Sequence, residues 1–308
     1  MPITDYHRLA RTPRLRWWKS VLGTLFIVAA GGGLAIALYI FVLAAATIAG
    51  RPEDADGSPT FGPLSELALA FVSIAFLLPA TLAAAQWIQG RPAGTLSSVA
   101  GRLRWPWMLA CFGPATGAVV VLLVASGLLT GAQSAESADS GGLVGWRTFL
   151  ASAIVAVHVV PIQSAAEEYL TRGWLLQAVG AYFKRPWAPI AVQALVFAAL
   201  HGWGTPWGFA DLVVFGVVAG WLTVRTGGLE ASIALHVANN LLGTLLAAAY
   251  GDLSTDETAA DMPWQLVAVD VPVLIAYAIV VVFLQRRLRA RPAREPADGR
   301  DSVLVAAS

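Results

Sequence analysis

Six polar side chains stand in stretches that otherwise hold mostly apolar residues: Glu167, Glu168, Arg172, His201, His236 and Asn240. A carboxylate among lipid chains is costly, so each must face a cavity, a partner or water. Arg172 follows Glu168 by one helical turn and is its expected countercharge. His236 and Asn240 are also one turn apart and share a helix face. A buried carboxylate can act as general base on a water molecule. A histidine can hold that water, ligate a metal or shuttle a proton. A second histidine with an amide beside it can donate to a developing oxyanion. Base, water and oxyanion donors together describe hydrolysis of an amide bond without a serine or cysteine nucleophile. Taken singly, each of these residues is more often an interhelical hydrogen-bond partner. Two adjacent carboxylates, however, exceed what a structural network needs.

The elements that must position them are membrane helices. The 308 residues are 57% hydrophobic and 13% charged, with a mean hydropathy of +0.67. A soluble chain carries about 25% charged residues, so the apolar surface must face lipid. Apolar runs near or above the roughly 20 residues that cross a bilayer core recur along the chain. They predict an all-α, polytopic transmembrane helical bundle with spans near 20–47, 63–86, 106–129, 148–170, 189–201, 208–224, 229–250 and 265–284. The first run is too long for the apolar core of a cleaved signal and reads as a retained span. The fifth is short and stops at Gly202-Trp203-Gly204-Thr205-Pro206. The fourth segment is expected to kink at Pro161 and to continue into an interfacial helix over roughly 172–183. Counted along these helices at about 1.5 Å per residue, Glu167, His201, His236 and Asn240 fall in one layer, in the inner to middle part of the membrane.

Charge sets the orientation. Arg8, Arg11, Arg14, Arg16 and Lys19 precede the first span; Arg91, Arg102, Arg104, Lys184, Arg185 and Arg225 lie on every second connection, and arginines crowd the tail. The alternate connections hold only Arg51 and Arg147 as basic residues, beside Glu53, Asp54, Asp56, Glu136, Asp139, Asp252, Asp256, Glu257 and Asp261. The positive-inside rule then places both termini in the cytoplasm of a multi-pass protein of the cell membrane. The chain divides into a cytoplasmic segment 1–19, three helices over 20–147, a catalytic helical core 148–250, a last helix within 251–285, and a basic, disordered tail 286–308. The partners expected are the lipid bilayer and a membrane peptide or protein, lipidated or not; nothing points to nucleic acid. The cavity is expected to open toward the inner leaflet and cytosol.

Written as Glu167-Glu168-x-x-x-Arg172, Phe197-x-x-x-His201 and His236-x-x-x-Asn240, the ordered set resembles the CPBP family of intramembrane proteases, also called Abi, which includes the type II CAAX prenyl endopeptidases. Thr226-Gly227-Gly228-Leu229 resembles the turn before its third motif, and the likeness covers about 148–245. The resemblance implies that Glu167 activates the attacking water and His201 helps to hold that water or a metal. His236 and Asn240 would stabilise the oxyanion or join a metal shell, with Glu168 and Arg172 in support. Zinc and a metal-free mechanism both stay open. Glu167, His201 and His236 could form a zinc site with a vacant position, yet no His-Glu-x-x-His pair exists.

Rival classes differ by absence. A Gly-x-Ser-Gly nucleophile is missing, and Ala249-Tyr250-Gly251-Asp252 lacks the first glycine of an aspartyl intramembrane protease motif. The alternatives are a non-catalytic protein of the same fold, such as a bacteriocin-immunity or scaffold factor, or a proton-coupled carrier; no inverted repeat supports the carrier. Of the remaining polar residues, His158 reads as a core histidine near the Pro161 kink, and Asp211 and Asp270 as boundary residues that reach water. Cys111 and Gly31-Gly32-Gly33 read as helix-packing residues, and 96–104 as an interfacial basic helix.

Overall fold

Trp17, Trp105, Trp146, Trp187 and Trp264 each open a helix and are more than half exposed. Amphipathic indoles at helix ends are the expected anchors at a membrane interface. The computed structural model describes residues 5–54, 56–134, 142–253 and 258–290. Among them lie eight principal helices: α1 Trp17–Ile48, α2 Pro63–Ile88, α3 Trp105–Ser134, α4 Trp146–Gly180, α5 Trp187–Leu200, α6 Pro206–Thr226, α7 Glu230–Tyr250 and α8 Trp264–Ala290. Seven are long and apolar enough to cross a membrane; α5, with 14 residues, is the short exception. The helical bundle expected from the sequence is borne out.

Packing ranks the helices. In the most apolar window of α6, 56% of residues are buried, and in that of α7, 50%, against 11% for α1. The central α7 therefore touches α3 and α4 on two sides, α6 pairs with α5, and α8 closes the bundle against α3 and α6. The peripheral α1 leans on α2. Two glycines let α1 approach its neighbours: a Cβ at Gly23 would lie 2.3 Å from the Trp174 ring, and one at Gly31 2.7 Å from Leu77. Gly32 and Gly33, expected to share this role, do not: a Cβ at either would meet nothing within 4 Å.

The structure corrects the expectation of an interfacial helix at 172–183. The fourth helix runs unbroken past Pro161, turns π-helical over Tyr169–Leu175 and ends at Gly180. Arg172, Trp174, Leu176 and Gln177 are fully buried. Their cover is protein, not headgroups. The 3-10 turn Asp5–Arg8 lies on the end of α4, where a Cβ at Gly180 would meet the His7 carbonyl oxygen at 2.1 Å. The Tyr6 hydroxyl donates to the Leu96 carbonyl.

The 96–104 stretch is likewise not an interfacial helix. It forms a short 3-10 turn, Ala93–Leu96, and a loop whose Leu96, Ser97 and Ser98 are buried. Upstream, Arg91 is buried and donates to Gln89 Oε1, Thr95 Oγ1 and Gln177 Oε1 at 2.6, 2.5 and 2.7 Å. Burial pushes its guanidinium down to about 10, so it stays charged at neutral pH. The loop docks on the α6–α7 turn: Val99 N–H donates to Gly227 O and Leu229 N–H to Ser97 O, both at 2.9 Å. Gly227 takes the left-handed conformation that ends α6, at φ +80°. Arg104 then holds the first residue of α7, its Nε and Nη2 reaching the Glu230 carboxylate at 2.8 and 2.6 Å. At the far end, α8 extends to Ala290, five residues beyond the boundary expected for the tail, and 291–308 lie outside the described residues.

The turn leaves no room at Gly228, where a Cβ would meet Glu230 Oε2 at 2.4 Å, Ser98 Cβ at 2.6 Å and Arg104 Nη2 at 2.7 Å. Gly228→Ala should therefore separate the ion pair and destabilise the fold by about 1–3 kcal/mol, the usual cost of overpacking. A lowered unfolding midpoint in detergent would show this. An unchanged midpoint would mean that the turn yields freely.

Candidate active site

Three helices and the end of one of them bring the polar residues together. Glu167 and Glu168 lie just before the π-helical segment of α4, His201 caps the C-terminus of α5, and His236 and Asn240 project from α7. His236 bridges the two carboxylates: Nδ1 is 2.8 Å from Glu168 Oε1, and Nε2 is 3.4 Å from Glu167 Oε2. The same Glu168 oxygen accepts from Arg172 Nη1 at 2.8 Å, and both side chains of this ion pair are completely buried. The guanidinium lies 4.1 Å over the Phe197 ring and 5.4 Å over Phe215, so aromatic faces take the place of further anions. Phe197 also carries both histidines: its ring centroid is 4.6 Å from that of His201 and 5.9 Å from that of His236.

The two glutamates differ despite their adjacency. Glu168 is locked between Arg172 and His236. Glu167 has 15% of its side chain exposed and lines a cavity of about 890 Å³. Its Oε1 accepts from Gln163 Nε2 at 2.7 Å, while Oε2 is buried with no hydrogen-bond partner. Because Glu168 can only accept while ionised, His236 Nδ1 carries a proton and donates it. In a neutral imidazole, Nε2 is then a bare lone pair facing the bare oxygen of Glu167. Glu167 Oε2 and His236 Nε2 thus face each other at 3.4 Å at the edge of the cavity.

His201 reaches the same cavity differently. Its Nδ1 donates to the Phe197 carbonyl at 2.9 Å, leaving Nε2 as an acceptor. Asn240 Nδ2 donates to Gln163 Oε1 at 3.2 Å, so α7 is tied to the glutamate through Gln163. Thr171 Oγ1 donates to the Glu167 carbonyl at 2.6 Å within the π-helical stretch. Gln163 and Asn239, both on the cavity wall, escape the sequence reading. Gln163 sits one turn before Glu167, and that spacing of an amide and a carboxylate on one face is the available signal. Glu230 escapes it as well; its tie to Arg104 crosses 126 residues of chain and has no local signature.

Glu167 and His236 make a pair, and no group of three or more His, Cys, Asp or Glu side chains is placed to hold a metal ion among the described residues. The zinc site that Glu167, His201 and His236 could form is not assembled in this conformation. Two other expectations need correction. His158 is exposed rather than in the core, its Nδ1 bonding the Ile154 carbonyl at 2.7 Å one turn back. Asp211 and Asp270 do not reach water: both are buried, and their carboxyls interact with each other beside a small cavity that Asn239 also lines.

Fold and site together define a polytopic helical membrane protein with a buried glutamate–histidine centre. Residues 146–242 match the model of the Rce1-like family, described as type II CAAX prenyl endopeptidase Rce1-like. The resemblance drawn from the sequence is borne out over that segment, which contains Glu167, His201, His236 and Asn240. The chain is also 30% identical over 194 residues to YyaK, an uncharacterised protein of Bacillus subtilis (strain 168), a match that covers 61% of this chain. The chain spans 63% of that relative's length. No solved structure matches the chain significantly.

The buried ion pair carries a direct consequence. Arg172→Ala leaves Glu168 as an uncompensated charge and should cost about 3–5 kcal/mol. Glu168→Gln together with Arg172→Met removes both charges and should recover much of that loss. Thermal unfolding of the native protein and the two variants in detergent measures the difference, and a stable Arg172→Ala protein would contradict it.

Proposed function

We propose that this chain is an intramembrane endopeptidase that hydrolyses a peptide bond of a membrane-associated substrate with a water activated by Glu167. One observation carries this reading: of two adjacent carboxylates, Glu168 is sealed against Arg172, whereas Glu167 lines a cavity whose described wall holds no lysine or arginine. A purely structural network would seal both.

The chemistry follows from these positions. The Glu167 carboxylate takes a proton from a water that His201 Nε2 helps to orient by accepting its second hydrogen. The hydroxide attacks the peptide carbonyl carbon, and the C=O π electrons move onto oxygen. Asn240 Nδ2, which donates to Gln163 Oε1 in this conformation, turns to donate to that oxyanion. His236 holds the proton next to Glu167 and steadies its charge between steps. The proton then passes to the amide nitrogen, the C–N bond breaks, and an acid and an amine leave. Glu168 and Arg172 act one layer behind, fixing the tautomer and orientation of His236. The substrate is a membrane-proximal peptide, of CAAX type or another kind.

Purified protein offered membrane-peptide substrates tests the reading. Glu167→Gln and His201→Ala should lower cleavage at least about 100-fold, the contribution expected of a general base and its partner, with the unfolding midpoint retained. Asn240→Ala should lower kcat by about 100-fold or more if it supplies an oxyanion donor. Cleavage that survives Glu167→Gln rejects the mechanism.

A further inference from the structure

Among the described residues, the cavity beside Glu167 runs from the site toward one end of the bundle. On α7 its wall runs from Asn239 and Asn240 through Gly243 and Thr244 to Ala247, and on α2 from Leu77 back to Leu67. Each stretch advances about 12–15 Å at about 1.5 Å per residue, away from the site and toward the same end of the bundle. The wall finishes on Asp252, Leu253, Thr258 and Ala259 of the α7–α8 connection, where Asp252, Thr258 and Ala259 are exposed. Thr258 and Ala260 are tied to the end of α5 and the start of α6: Thr258 Oγ1 donates to the His201 carbonyl at 3.1 Å, and Thr205 N–H to the Ala260 carbonyl at 2.8 Å.

Toward the opposite face, the site is plugged. Beyond Glu167 come the fully buried Glu168–Arg172 pair, Trp174 and Leu176. Tyr169 is bonded to Ser97 at 2.6 Å, and Leu96 and Leu229 are fully buried behind it. No described residue of the 89–104, 181–186 or 227–229 connections lines the cavity. Those connections carry Arg91, Arg102, Arg104, Lys184 and Arg185, whereas the face with the mouth carries only Arg51 and Arg147 beside Glu53, Asp54, Asp252 and Asp261. The positive-inside rule puts the plugged face in the cytoplasm and the mouth outside. The expectation that the cavity opens to the cytosol is thereby reversed.

The lining also has a sign. Its ionisable side chains are Glu167, Asp252 and His201, with no lysine or arginine among the described residues; the rest of the wall is largely apolar, with Phe71, Ile74 and Leu200 prominent. A C-terminal tail would bring its own carboxylate beside two others with no cation to receive it. An internal segment brings none.

We infer that the site is reached from the non-cytoplasmic face, and that its occupant is an internal, apolar segment of a membrane-anchored chain that is neutral or basic. This rests on the peptidase reading only for calling the occupant a substrate; the route and its charge preference stand on the geometry. The single cysteine, Cys111, is buried and can be replaced by alanine to give a thiol-free background. Into it go Thr244→Cys and Ala247→Cys in the cavity, Asp252→Cys at the mouth and Arg185→Cys on the opposite face. Membrane-impermeant methanethiosulfonate reagents, one cationic and one anionic, are then applied to intact spheroplasts and to inverted vesicles.

The cavity and mouth thiols should react in spheroplasts, and Arg185→Cys only in inverted vesicles. At Thr244→Cys the cationic reagent should react several-fold faster than the anionic one, after normalising each to its rate with a free thiol. Cavity thiols that react only in inverted vesicles, or from neither side while Asp252→Cys reacts, overturn the route. An anionic reagent that reacts as fast as the cationic one overturns the charge preference. None of these readouts needs activity, so an inactive protein labelled as described would sink the peptidase reading alone.

Discussion

A guanidinium sealed inside the bundle sets the conditions for everything around it. Arg172 has no solvent exposure, and a cation there is tolerable only with a carboxylate on it and polarisable surface about it. Glu168 supplies the first and the rings of Phe197 and Phe215 the second. That requirement fixes α4 against α5 and α6. It also fixes His236, which shares the neutralised oxygen and so arrives with one nitrogen committed as donor. The other nitrogen is thereby aimed at Glu167. A cluster of polar groups drawn from separate helices follows from satisfying one buried charge.

The same logic explains why adjacent residues have opposite characters. On an α-helix, neighbours point about 100° apart, so Glu167 and Glu168 meet opposite nitrogens of His236 and otherwise have different surroundings. One turns into the protein and becomes structure; the other turns to the cavity, with Gln163 and His236 as its close polar neighbours. Chemistry and packing are divided within one dipeptide. The π-helical stretch that begins at Tyr169 lies directly after it, where departures from α geometry often accompany functional sites.

Much of this is legible in the sequence, for identifiable reasons. Apolar runs of bilayer length locate the helices, and counting along them places Glu167, His236 and Asn240 in one layer. The turn at Gly227-Gly228 shows itself through residue types that allow few other uses. What the sequence conceals depends on which way a side chain faces. Asp211 and Asp270 look like residues at the water boundary when each is considered on its own helix; their burial follows from the meeting of α6 and α8. The 172–183 stretch looks interfacial because its length exceeds one crossing, and only the docking of residues 5–8 and 93–98 onto it makes it core. The direction of the cavity is hidden too, since depth along a helix does not say which neighbours part to leave space.

The brevity of α5 reaches beyond the protein into the lipid. Fourteen helical residues cover about 21 Å, whereas the hydrocarbon layer is about 30 Å thick. Val192, Leu195 and Val196 turn outward along this helix, so acyl chains beside it meet an apolar strip too short for them. Hydrophobic mismatch of this kind is relieved by local thinning of the bilayer. A bilayer thinned beside α5 would bring headgroups and water closer to both of its ends, the one that carries His201 included.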